Sequence, residues 1–226
     1  MGINILKIML GFMLVPVCAG FTWQLTAMIS TTRYLPESPY YFCAGCLTYL
    51  FIHFLFRKPI FTYVVAHELT HALFALLFGG MIKSFHASDK GGQVTVTKSN
   101  FIITLAPYFF PLYTFIMLVL YWVALSLNVH GTTIAVIIYL SGATFAFHLI
   151  LTFIFLQTDQ NDIREQGAIF SYPLIYLFNV IFFALLVKIY LAENMDYLLF
   201  MVGGIIKSIN VISLAGSAIT SAITAR

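Results

Sequence analysis

An all-α polytopic membrane protein is the fold class this chain predicts, and three observations predict it. Hydrophobic residues fill 61% of the 226 positions and charged ones only 8%, against about a quarter charged in soluble domains. Apolar runs long enough to cross a bilayer recur along the chain, separated by short polar connections. Inside one of them, Ile60 to Phe78, lies His67-Glu68-Leu69-Thr70-His71. Ionisable groups at membrane depth are costly and mark function by default. The expectation is six or seven transmembrane helices in a single domain, residues 1–226, with a short β-hairpin after the histidine-bearing helix.

Composition also excludes partners. The formal net charge of +3 is small, and no run of Lys or Arg builds a basic stripe, so nucleic acid is rejected. Cys43 and Cys46 form a Cys-x-x-Cys in an apolar segment with no second pair, half of a zinc knuckle, and read as packed thiols. A disulfide between them stays open.

Taken in order, Ile5 to Ile29 is the first span. Its Val15-Pro16-Val17-Cys18 lacks the small residue wanted before a lipoprotein cysteine, and the run outlasts a signal core, so a retained helix is expected. Ser30 to Pro39 is a polar connection. Tyr40 to Phe56 is the second span, fronted by interface tyrosines. Arg57-Lys58-Pro59 is a very short turn into the third span, which stops at Gly79-Gly80. Gly91-Gly92-Gln93-Val94-Thr95-Val96-Thr97 then alternates Val and Thr after a glycine pair, a strand signal. Such a hairpin either decorates the surface or, through Val94, Thr95 and Val96, offers an edge to an extended substrate.

Phe101 to Leu127 is a fourth span that Pro107 and Pro111 kink or split. Broken backbone is tolerated in a membrane only where protein or a cavity satisfies it, so this segment is expected to line something. Thr133 to Leu156 is the fifth span and carries His148. A charged patch follows from Gln157 to Gln166, then a sixth span from Ala168 to Leu191. The tail from Tyr197 reads either as a seventh span packed through small residues or as an interfacial helix. Positive charges fall on both alternate sides, Lys7, Arg57, Lys58 and Lys188 against Arg33, Lys83, Lys90, Lys98 and Arg164, and orientation stays undetermined.

The chemistry lies in the third span. His67 and His71, four residues apart on one helix face, can share a metal ion, with Glu68 beside them as a base toward water. A catalytic zinc site wants a third protein ligand. His71 lies roughly 10 Å before the end of its span and His148 roughly 12 Å before the end of the fifth, at 1.5 Å per residue. The two spans run in the same direction, so depth favours His148. His53, His86 and His130 sit in loops or on other hairpins.

Ala66-His67-Glu68-Leu69-Thr70-His71-Ala72, with Gly79-Gly80, Gly91-Gly92 and the Ala106-Pro107 break, resembles the site-2 protease family of membrane-embedded zinc metalloproteases, in its small, minimal branch. The likeness covers roughly residues 60–167. It implies His67 and His71 as zinc ligands, Glu68 as catalytic base, and a membrane-anchored protein substrate cut within or near a transmembrane segment. A multi-pass protein of a bacterial cell membrane is the expected setting, with the lipid bilayer as its surroundings and its oligomeric state open. The family's usual third ligand is an aspartate in a Leu-Asp-Gly element that is absent here, and Gln157-Thr158-Asp159 is the nearest match. By likeness, therefore, Asp159 is favoured over His148. The competing readings are an inactive pseudoprotease acting as scaffold, which the unorthodox third ligand supports, and a metal transporter. The absence of duplicated halves argues against the transporter.

Overall fold

A computed structural model describes residues 5–56, 58–192 and 194–224. It runs α1 Ile5–Thr31, α2 Ser38–Leu55, α3 Ile60–Leu77, β1 Ile82–Ser88, β2 Gly91–Val96, α4 Phe101–Phe109, α5 Leu112–Ser126, α6 Thr132–Leu156, α7 Asn161–Gln166, α8 Ala168–Leu186, a π-helical segment Val187–Leu191, and α9 Tyr197–Thr224. Among the described residues, five helices are long and apolar enough to cross a membrane: α1, α3, α6, α8 with its π-helical extension, and α9. The bent pair of α4 and α5 makes a sixth if it counts as one span. The chain is thus an all-α polytopic membrane protein with one small antiparallel sheet. The apolar α2, expected as a span, falls outside the set because Ser38, Tyr40, Tyr41, Thr48, Tyr49 and His53 dilute its hydropathy. Arg57, in the turn expected between α2 and α3, lies outside the described residues.

The chain forms two compact units, Met1–Leu35 with Gln166–Arg226, and Pro36–Glu165. In the first, α1 packs against α8 and α9. Phe21 meets Phe200 edge-on at 5.6 Å, and the Lys207 ammonium lies 4.4 Å above the Trp23 ring. The tail therefore forms a helix paired with α1. Lipid is as apolar as these side chains, so close packing rather than exclusion from water holds such helices together.

The second unit carries every residue singled out in the third and fifth spans. Its core is aromatic: Tyr49 of α2, Tyr63 of α3, and Phe147 and Leu151 of α6 form one buried cluster. The Tyr63 hydroxyl shares a 3.2 Å hydrogen bond with Thr152, tying α3 to α6. Tyr113 of α5 donates to the Thr62 carbonyl at 3.0 Å. The histidine helix is thus tied to both α5 and α6.

Helix α3 stops where the glycine pair predicts. Gly80 N–H reaches the Ala75 carbonyl at 2.7 Å, Gly79 N–H reaches Leu76 at 2.9 Å, and Gly79 takes φ +72°. This is a Schellman ending, and its left-handed residue favours glycine. The chain turns directly into the hairpin, whose register pairs Phe85 with Val94 and Ser88 with Gly91 around Asp89-Lys90.

The predicted break falls at Phe110-Pro111. Pro107 stays inside α4, and α4 and α5 meet at 75°. From Ile103 to Phe109 every residue of α4 is buried. Its start is set by Asn100, whose side-chain oxygen accepts from the Ile103 N–H at 2.9 Å. Replacing that cap with Ala is expected to cost about 1 kcal/mol of stability, and Asn100→Asp to retain most of it. Denaturation of the two variants in detergent checks this, and equal melting of Asn100→Ala and the unmodified chain would assign the start of α4 to packing alone.

Candidate metal centre

His67 and His71 lie one turn apart on α3, their ring centroids 4.9 Å from each other. The His71 Nδ1 donates to the Ile103 carbonyl of α4 at 2.9 Å. That bond places the ring proton on Nδ1 and leaves Nε2 as a lone-pair donor, the arrangement a metal-binding histidine needs. His67 is held instead by its neighbours, with Tyr63 at 6.0 Å and Tyr108 at 5.0 Å between ring centroids.

The third partner is Asp162, in the first turn of α7. Its Oδ2 lies 3.4 Å from the Nε2 of His67 and 3.4 Å from the Nε2 of His71. Among the described residues, these three form the group whose ligand atoms all lie within 4.8 Å of one another and could hold a metal ion. Burial opposes ionisation of Asp162, but hydrogen bonds and charge from His67 and His71, when their Nε2 atoms carry protons, outweigh it and hold the carboxyl well below the usual carboxylate range; a cation bound by the same three atoms would take the place of those protons. A charged oxygen converging with two nitrogens is a cation site by its donor chemistry.

Neither residue expected in the third position joins this group. Asp159 lies in the loop before α7 and pairs with Arg164 at 3.2 Å, both side chains well exposed. Such a pair contributes little to stability. His148 is buried and lines a separate small cavity of about 10 Å³, together with Tyr63, His67, Thr70 and Thr144. Equal depth brought His148 near the wall behind His67, whereas the ligand atoms converge on the side facing α7. The sequence offers no Gly or Pro to turn the chain back before Gly167. Hydrogen bonds make the turn instead: Thr158 donates to the Phe155 carbonyl at 2.7 Å, and the Gln160 amide donates to Thr158 at 2.6 Å. A signal for Asp162 was present, since an acid in the first turn complements a helix N-terminus. Reading it required seeing a six-residue helix inside the charged patch.

Two further residues complete the surroundings. The hydroxyl of Tyr108, from the buried α4, donates to Asp162 Oδ2 at 3.0 Å and approaches Gln160 Oε1 at 3.4 Å. Glu68 is buried on the hairpin side of α3, where the Val94 backbone donates to its carboxylate. A Cβ on Gly92 would lie 2.5 Å from the Glu68 Cγ, so only glycine lets the strand come this close.

His67, Glu68, His71 and Asp162 open together onto a cleft of about 310 Å³, walled by Gly92, Val94 and Val96 and rimmed by Asp159, Gln160 and Glu165. Of the three strand residues expected to meet a substrate, Val94 and Val96 face this cleft. Thr95 is exposed and paired opposite Ser84.

Metal analysis of variants tests the group directly. Asp162→Ala is expected to lose bound metal as fully as His71→Ala, while Asp159→Ala and His148→Gln keep it. Loss in Asp159→Ala with retention in Asp162→Ala would move the third ligand back to the loop.

Compared with protein-family models, curated proteins and solved structures, the chain matches none.

Proposed function

We propose that the chain is an intramembrane zinc metalloprotease that hydrolyses peptide bonds in or near transmembrane segments of other membrane proteins. The observation that carries the reading is the convergence of His67, His71 and Asp162 with Glu68 in one polar cleft, on a helix apolar enough to span a membrane. The site-2 protease likeness of the His67 to His71 stretch supports the same assignment.

The donor set fits zinc. Arms of about 2.0–2.1 Å in tetrahedral geometry separate ligand atoms by about 3.3–3.4 Å, and both histidine–aspartate separations are 3.4 Å. Two imidazoles and one carboxylate would hold the ion, a three-ligand donor set of the kind catalytic zinc sites use. Bound there, zinc would supply Lewis-acid polarisation of a carbonyl and an acidified water.

The chain's own residues would do the rest. Glu68 takes a proton from the water that attacks the scissile carbonyl carbon. As the C–N bond breaks, Glu68 returns that proton to the departing amine, leaving a carboxylic acid on one product and an amine on the other, which then ionise to carboxylate and ammonium. The substrate must be locally extended, because a helical peptide bond is shielded by its own turns. The outer edge of β2 suits an extended segment. Backbone groups alternate sides along a strand, so with the Val94 donor turned to Glu68, Val94 and Val96 share the free edge and Thr95 belongs to the ladder with β1. An added strand would pair along that edge, within reach of Glu68.

Glu68→Gln keeps the shape and loses the base, so it is expected to retain zinc and lose at least about 100-fold in cleavage of a membrane-anchored test substrate. Cleavage near the unmodified rate would assign the base elsewhere, and no cleavage by either protein would favour a scaffold. Thr95→Pro removes a ladder donor and is expected to keep zinc while weakening cleavage of the same substrate. Normal cleavage by a folded Thr95→Pro protein would reduce the hairpin to decoration.

A further inference from the structure

We infer that Tyr108 is the positioning residue that recruits Asp162 to the metal centre. The inference rests on the metal reading of His67, His71 and Asp162 and is independent of the protease assignment.

Asp162 is only weakly placed by its own segment. His67 and His71 sit on an 18-residue helix anchored by Tyr63 in an aromatic cluster with α2 and α6. Asp162 sits on a helix of 6 residues, and the flanking Asp159 of the loop and Arg164 of the helix itself both turn to solvent. Two imidazoles attract a carboxylate, but they act on one oxygen and do not fix the rotation of the group. A second fixed point is needed to present one particular oxygen, and Tyr108 supplies it.

Tyr108 is suited to that task. It is fully buried, in the stretch of α4 where every residue from Ile103 to Phe109 is enclosed. Its hydroxyl donates at 3.0 Å to Oδ2, the same oxygen that lies 3.4 Å from both histidine nitrogens. The approach to Gln160 Oε1 holds the entry to α7 as well. Its ring stands edge-on to His67, 5.0 Å between centroids at 85°. One rigid side chain therefore touches the segment that delivers the third ligand and the ring of the first. The same α4 supplies the Ile103 carbonyl that orients His71. Partners of this kind behind metal ligands typically change metal affinity by about 10- to 100-fold when removed.

The test uses the full chain in detergent, with zinc affinity measured by chelator competition and cobalt(II) as the spectroscopic probe. Tyr108→Phe removes only the hydroxyl and keeps the ring against His67. The expected result is about a 10- to 100-fold weaker zinc affinity, a changed cobalt absorption spectrum, and metal-free melting close to that of the unmodified chain. The decisive readout is a double-variant cycle with Asp162→Asn. If Tyr108 acts through Asp162, its removal has little further effect once the carboxylate is gone. Equal losses in both backgrounds would make Tyr108 a general packing residue and overturn the inference, as would unchanged zinc affinity in Tyr108→Phe. Failure of the unmodified chain to bind zinc or cobalt would overturn the metal reading itself, and the inference with it.

Discussion

The structure of the second unit depends on bringing one carboxylate to two imidazoles inside an apolar bundle. A buried carboxylate is costly unless it is hydrogen-bonded and paired. Here Asp162 Oδ2 meets both histidine nitrogens and a tyrosine hydroxyl. That requirement explains features with no obvious use alone. The 75° break between α4 and α5 ends a buried α4 beside α3, with Tyr108 and the Ile103 carbonyl turned to the histidines. The short α7 exists where a plain loop would have connected α6 to α8.

The hairpin after α3 brings backbone polar groups and small side chains against the histidine helix. It leaves the helix through a left-handed glycine, and Gly92 lets β2 come against the Glu68 side chain without a clash. The walls of the resulting cleft are backbone and small side chains on one face, and amides and carboxylates on the other. Polar groups therefore gather beside His67, Glu68 and His71 on one face of a helix apolar enough to span a membrane. Gly92 thus lets the hairpin meet Glu68, and the break at Phe110-Pro111 ends α4 just after Tyr108 meets Asp162.

The sequence by itself determined the membrane class, most helix boundaries, the hairpin, the broken fourth span and the helix-borne part of the site. All of these follow from local rules. Spacing of four on a helix puts His67 and His71 on one face whatever the rest of the chain does, Gly79-Gly80 ends α3, and Pro111 splits a helix because it lacks an N–H. The α2 segment shows the limit even of local reading, since its apolar run is diluted by tyrosines, a serine, a threonine and a histidine. What only the tertiary structure decided is which distant group completes the cluster. Depth along parallel helices placed His148 near His67, but depth carries no information about which face a side chain presents. A loop motif pointed to Asp159, but it lies three positions before Asp162, and a turn built from Thr158 and Gln160 hydrogen bonds selects the latter. Tyr108, equally invisible beforehand, acquires its role only because α4 ends beside α7. Ligand choice is a matter of direction in space, and direction between distant segments is set by packing rather than by spacing along the chain.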